Sequence, residues 1–295
     1  MSHEQRRHNL AGIAWMCVGV GIFSIMDAAM KALSARYPAL EVGALRGAVS
    51  LPLIVLWIAF HGGFQQVVRV RWPLHVLRGV LSVGLLAGFV YAIHALPLAE
   101  AYSIFFIAPL LVTAMSAWFL RERVDAGRWL AILVGLGGVL LVWRPTGAGA
   151  LSLAGLAAIG SAAAYALSAV VVRVLGRTDS TLSMVFWYLL FLTVGSAAFA
   201  APGWVPVERA DWPLLALVAV TGTVGQFALT EAFRRGEASV VAPFEYTALG
   251  WGMILDAVLW STAPSVRMLS GAAVVIGAGL YLVRRERFHA EAEHP

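Results

Sequence analysis

Ten stretches of about twenty mostly apolar residues follow one another along the chain, separated by short turns where arginine, proline and glycine gather. They fall at about 10–31, 40–60, 74–94, 98–120, 126–143, 151–173, 181–201, 212–233, 238–261 and 267–284. At about 1.5 Å per residue each is long enough to cross the hydrocarbon core of a bilayer as a helix. The pattern therefore predicts an all-α polytopic membrane protein of ten transmembrane helices. The stretch ALPLAEAYSIFFIAPLLVTAMSAWFLRER from Ala95 to Arg123 has a second, altered version from Phe233 to Pro264. Each version opens on a short acidic turn and carries a proline inside its apolar run, Pro109 in one and Pro243 in the other.

Composition agrees with the pattern. Of 295 residues, 60% are hydrophobic and 13% charged, and the mean hydropathy is +0.82. The net charge of +5 comes almost wholly from arginine clusters between apolar segments, Lys31 being the single lysine. That placement reads as membrane topology rather than nucleic-acid binding. With both termini in the cytoplasm, fifteen basic residues fall on the cytoplasmic side, five outside, and Arg46 within a helix. Arg6 and Arg7 ahead of the first apolar run imitate a signal peptide, but the run continues past Asp27 to Lys31, so an uncleaved first span is expected. Cys17 stands alone, which offers neither a disulfide nor a thiolate metal site.

Internal matches lay out a repeat. LAG at Leu10–Gly12 returns at Leu153–Gly155, WPL at Trp72–Leu74 returns at Trp212–Leu214, and AEA at Ala99–Ala101 returns as GEA at Gly236–Ala238. Their order is kept and their offsets are all near 140 residues, which divides the chain into 1–147 and 148–295, five helices each. Five is odd, so the second half enters the membrane from the opposite side. Such an inverted repeat suits alternating access, each half gating one face by the same motion.

Three segments, PLAEAYSIFFIAPLLVTAMSAWFLRERV, RWLAILVGLGGVLLVWRP and GEASVVAPFEYTALGWGMILDAVLWSTAPS, resemble the repeats of EamA-type transporters in the drug/metabolite transporter superfamily. The resemblance covers nearly the whole chain and is nearest to the branch of bacterial inner-membrane exporters that carry aromatic amino acids. It implies a secondary transporter in the inner membrane, without a cofactor, whose fifth and tenth helices stand outside a central cavity. One departure is visible. The first repeat ends Arg121-Glu122-Arg123, whereas the second has Thr262 where members of the family often carry Glu.

Candidate functional residues form three groups. Asp27 and Lys31 share a face of span 1; with Arg46 and Asp256 at similar depth they make either an outer gate with a carboxylate-binding point at Arg46, or interfacial ion pairs with a snorkelling arginine. Gln226, Glu245 and Tyr246 lie about 12 Å deep from the cytoplasmic side. There they either pair across a short hairpin or line a cavity, Glu245 meeting a substrate amino group. Tyr91, His94, Tyr102, Tyr165, Trp187 and Tyr188 place aromatic rings within spans, either as packing or as walls for flat and amphipathic ligands. Pro109 and Pro243 are expected to kink spans 4 and 9 mid-helix, as static bends or as hinges. Glu100 and Glu237 are expected to cap the first turns of those spans. Ala131 with Gly135, and Ala273 with Gly277, allow close helix approach or a homodimer contact.

Among function classes, a carrier of small metabolites leads, with neutral and aromatic amino acids as the expected cargo and another metabolite class (a nucleotide sugar, cofactor or polyamine) as the alternative. No GxxxxGK[ST] loop is present, so energy must come from gradients, with Asp27, His94, Glu245 and Asp256 as candidate proton carriers. A membrane-embedded enzyme is disfavoured: HExxH, Cys/His metal spacing and a serine elbow are all missing.

Overall fold

The computed structural model describes residues 3–61, 63–95, 104–143, 152–260 and 266–291, and among them only helices and turns occur. Ten longer helices follow one another: α1 (His3–Leu33), α2 (Ala39–Phe60), α3 (Trp72–Ala95), α4 (Ala108–Phe119), α5 (Ala126–Trp143), α6 (Leu153–Leu175), α7 (Thr181–Ala200), α8 (Trp212–Arg235), α9 (Ala248–Trp260) and α10 (Val266–Glu291). Six of them, α1, α2, α3, α6, α7 and α8, are long and apolar enough to cross a membrane. Shorter apolar helices are contributed by α4, α5 and α10.

Local chemistry sets the helix starts. Ser152 and Ser180 precede α6 and α7, and their hydroxyls accept from the N–H of Gly155 and Ser183, satisfying donors that have no partner within the helix. The repeated WPL triplet opens both α3 and α8. There proline costs nothing, since its missing N–H would be unpaired in the first turn anyway. At the end of α4, Arg121 takes a left-handed φ of 55°, and the Glu122 N–H donates back to Ser116 O at 3.3 Å. The helix thus ends through a residue in the left-handed region that is not glycine.

The helices pack in a regular scheme. α1 lies on α8, α3 on α6, α2 on α7 and on α8, α3 also on α7, and α5 on α10. α4 packs on α6, while α9 and the segment before it pack on α1. Exchanging each of the first five helices for its counterpart five later leaves this set of partners unchanged. The α1–α8 crossing is close because both sides are glycine: a Cβ on Gly12 would lie 2.9 Å from Gly236 Cα. Ile13, Met16, Val172, Phe233, Val241 and Phe244 close the core around that crossing.

Spans 4 and 9 differ from expectation. Pro109 does not kink a continuous helix; a turn at Phe106 and Ile107 precedes it, and it occupies the first turn of α4. Around Pro243 the helix breaks into three pieces: a single turn at Ala238–Val241, a 3-10 helix at Ala242–Thr247, and α9. Proline lacks an N–H and its ring crowds the carbonyl four residues back, so the chain tightens to i→i+3 bonding. Six residues is long for a 3-10 run, and such a stretch often marks a hinge.

Candidate functional site

Arg78, Ser82, Tyr165, Ser168, Tyr188, Gln226 and Thr230 converge from α3, α6, α7 and α8 around an internal cavity of about 40 Å³. That volume holds a few waters. Leu85, Val172, Leu229 and Phe233 complete its wall. Arg78 is 3% exposed and fixed on two sides. Its Nη1 donates to Met184 O at 2.8 Å, and its guanidinium carbon stands 4.9 Å from the centre of the Tyr188 ring. Nη2 makes a long contact of 3.4 Å to Thr230 Oγ1, and Nε is buried without a partner. Arg78 is one of the fifteen basic residues that the charge pattern places on the cytoplasmic side. Its position four residues inside the predicted span at 74–94 was the signal that it belongs to the interior.

Glu245 reaches the same region from the 3-10 segment, accepting a hydrogen bond from Tyr165 Oη at 2.8 Å. Phe105 lies 6.1 Å from the Tyr165 ring and 5.2 Å from Phe89, extending the aromatic wall. Tyr246 leaves in another direction, as successive residues of a 3-10 helix diverge by about a third of a turn. It is fully buried with Val139 and Val275, its hydroxyl donating to Phe106 O at 3.1 Å. Gly135 makes room for it: a Cβ there would sit 2.9 Å from Tyr246 Cδ2.

Of the two readings for Gln226 and Glu245, direct pairing gives way to another arrangement. Arg46 on α2 donates to Gln226 Oε1 at 3.4 Å and stands 5.2 Å over the Phe23 ring. Gln226 Nε2 in turn contacts Thr230 Oγ1 at 3.5 Å. One face of α8 thus carries a polar ladder from Arg46 to Arg78. Asp27 on α1 is exposed and lies within electrostatic reach of Arg46. The side chains of Lys31, His94 and Asp256, together with Tyr102 and Glu100, lie outside what is described, so the rest of the expected charged cluster has no geometry here. Tyr91 is 47% exposed, and Trp187 packs elsewhere, donating to Val67 O at 2.9 Å with its ring 4.4 Å from Trp72.

Both ends of the bundle carry polar ties that sequence reasoning missed. At the end where α4, α6 and α8 finish, Glu122 accepts from the N–H groups of Ala238 and Ser239 and from Ser239 Oγ. The cap of the span-9 start is therefore Glu122, from the other half of the chain. Glu237, expected to cap it, instead pairs with Arg128 at 2.7 Å, while Asn9 Oδ1 accepts from its N–H. Arg173 adds an ion pair to Glu122 at 3.8 Å and a bond to Arg234 O. At the same end, Asp179 pairs with His75 at 2.8 Å. Burial pushes the Asp179 carboxyl up, but bonds from Thr178, His75 and the Arg71 N–H outweigh it and hold the group below the usual carboxylate range. At the opposite end Asp211 accepts from Arg36 and Tyr37, each at 2.7 Å, and Glu41 accepts from the Val205 N–H. These contacts tie the α1–α2 turn to the α7–α8 turn.

Comparison with known proteins gives the chain's relations. The model of the EamA-like transporter family matches twice, at residues 10–144 and 152–285. The chain is 31% identical over 271 residues to the pseudopaline exporter CntI of Pseudomonas aeruginosa, covering 90% of this chain and 93% of that protein. It is 26% identical over 285 residues to a riboflavin transporter of Vibrio cholerae, covering 95% of each. With an S-adenosylmethionine uptake transporter of Rickettsia felis it shares 24% over 286 residues, covering 97% of this chain and 96% of the other. A solved crystal structure superposes with a TM-score of 0.83 at 19% identity, over 96% of this chain and 99% of that one. At that identity the likeness concerns the fold alone. These relatives carry names other than aromatic amino-acid exporter, so the expected branch within the family is narrower than what the comparisons support.

Proposed function

This chain belongs to the EamA-like transporter family, and on that premise we propose that it is a secondary carrier that exports small, amino-acid-like metabolites across a bacterial inner membrane by alternating access. In this reading residues 1–147 and 148–295 are inverted five-helix repeats with both termini in the cytoplasm. Three features support it: the family model matches each half once, the helix partners are unchanged on exchanging the halves, and basic residues concentrate at one set of turns.

One observation carries the carrier reading. A cavity with Arg78 and Tyr165 on its walls lies among the helices, and Tyr165 holds the Glu245 carboxyl beside it. Ionisable groups at such depth are expensive and face pathways by default. Glu245, Tyr165, Tyr188, Gln226 and Arg46 serve as cavity residues. Tyr91, His94 and Tyr102 belong to the aromatic approach, Trp187 packs against Val67 and Trp72, and Tyr246 holds the 3-10 segment in place. Pro109 and Pro243 act as hinges of opposed gates. Asp27, Lys31 and Asp256 belong to the outer gate, while the Glu122–Ser239 and Arg128–Glu237 contacts close the cytoplasmic end. A second reading, cargo of another metabolite class, is favoured by the relatives named for pseudopaline, riboflavin and S-adenosylmethionine. Counterflow in proteoliposomes holding only this chain separates the two: stimulation by riboflavin and none by neutral amino acids would select the second.

A further inference from the structure

The charges in the described part of this protein are mostly matched. Arg128 faces Glu237, Arg234 faces Glu231 and Arg36 faces Asp211, each at 2.7 Å, while Arg173 faces Glu122 at 3.8 Å. Arg46 has Asp27 within reach. Arg78 is different. It is buried to 3% exposure, its hydrogen bonds go to neutral oxygens of Met184 and Thr230, and it lines the internal cavity. A full positive charge held this deep without a counter-charge costs several kcal/mol, so a purely structural arginine here would be expected to have a carboxylate.

The guanidinium is also held in one orientation. Nη1 is spent on Met184 O and the plane is seated against Tyr188. What remains is the side-on edge made by Nε and Nη2. Nε has no partner, and Nη2 has the 3.4 Å contact to Thr230. Two parallel N–H groups on one edge match the two oxygens of a carboxylate. Glu245 bears on the second half of the ligand. It is linked to the cavity wall through Tyr165, and a carboxyl group one tyrosine away gives an ammonium group a place to go.

We infer that Arg78 is the recognition point for a carboxylate on the transported molecule, with Glu245 receiving its amine, so that the cargo is a zwitterion bearing both groups. This rests on the carrier reading and gives Arg78 the role that sequence reasoning assigned to Arg46.

The test is thermal unfolding of the full chain in detergent with ligand pairs that differ only in the carboxylate: L-phenylalanine against L-phenylalaninamide, and L-histidine against L-histidinamide. A ligand that binds the folded form raises the midpoint by mass action. At least one acid is expected to raise it, with its amide needing about tenfold more for the same shift. Arg78→Gln is expected to erase the preference for acid over amide. Arg78→Lys, which keeps the charge should the glutamine variant fail to fold, is expected to raise the acid's half-saturation about tenfold. Equal shifts by acid and amide, no shift with either acid, or a folded Arg78 variant with its preference intact would each overturn the inference. Counterflow read in parallel keeps the two readings apart. Riboflavin exchange without any acid-induced shift sinks the carboxylate site and leaves the carrier standing. Arg78-dependent acid binding with no exchange of any solute sinks the carrier alone.

Discussion

The hydroxyl of Tyr165 on α6 donates to Glu245 Oε1 at 2.8 Å, joining the wall of the internal cavity to the 3-10 segment that Pro243 creates. A hydrogen bond of this kind contributes about 0.5–1.5 kcal/mol. Tyr165→Phe is expected to lower the initial rate of solute exchange in proteoliposomes by about tenfold or more, and Glu245→Gln by at least as much. Full exchange by Glu245→Gln protein would remove Glu245 from the pathway.

Pro243 is the reason the stretch from Ala238 to Trp260 is not a plain helix. Pro243→Ala restores an N–H and permits i→i+4 bonding through Ala242–Thr247, which turns Glu245 away from Tyr165. The variant is expected to unfold at a higher temperature than the native chain and to exchange solute more slowly. Unchanged exchange would reduce the 3-10 stretch to a static bend.

Glu122 closes one end of the bundle by three bonds to Ala238 and Ser239. Glu122→Ala leaves two N–H groups without their acceptor and Arg173 without its carboxylate, a loss of about 3 kcal/mol. In the carrier reading it also loosens the cytoplasmic gate. A cysteine placed at Ser168, on the cavity wall, is expected to react faster with a thiol reagent applied from the cytoplasmic side in the Glu122→Ala background. Equal labelling rates would contradict this.

Asp179 gives a pH dependence with a definite sign. Its carboxyl titrates below the ordinary value of 3.8 in the folded chain, so its contribution to stability is complete above that value and is lost as pH falls through the lower, folded one. The difference in unfolding midpoint between the native chain and Asp179→Asn is expected to shrink as pH falls below about 4. A difference that instead grew below about pH 4 would contradict the assigned partners.

Gly135 tests the packing. Its replacement by alanine puts a methyl 2.9 Å from Tyr246, and overpacking of this kind costs about 1–3 kcal/mol. The midpoint of Gly135→Ala is expected to fall. Gly277→Ala, which meets nothing within 4 Å, is expected to leave it unchanged in the monomer.

Much of the fold was legible because it depends on local signals. Ser152, Ser180 and the two WPL triplets mark helix starts, and apolar length marks the six helices long enough to cross a membrane. The 3-10 segment was not legible, because a proline reports only that the α-helix is interrupted; how the chain reorganises depends on its neighbours. Glu122 capping Ala238 joins residues 116 positions apart, a distance at which no periodicity carries information. For the site, Tyr165, Tyr188, Gln226 and Glu245 stood out as polar groups at depth. Arg78 did not, since an arginine near a predicted span end reads equally as a topology signal. Tyr246 and Trp187 group with the cavity by position along the helix, whereas in three dimensions their polar atoms bond to Phe106 O and Val67 O.

The central claim is that this chain by itself moves small zwitterionic metabolites. Its most direct measurement is counterflow in proteoliposomes containing only the purified chain, preloaded with unlabelled L-phenylalanine or L-histidine and challenged with trace labelled solute outside. The account predicts transient accumulation above that of empty liposomes, abolished by Glu245→Gln and reduced about tenfold by Arg78→Lys. Accumulation indistinguishable from empty liposomes with both amino acids, for protein whose fold is intact, would contradict it.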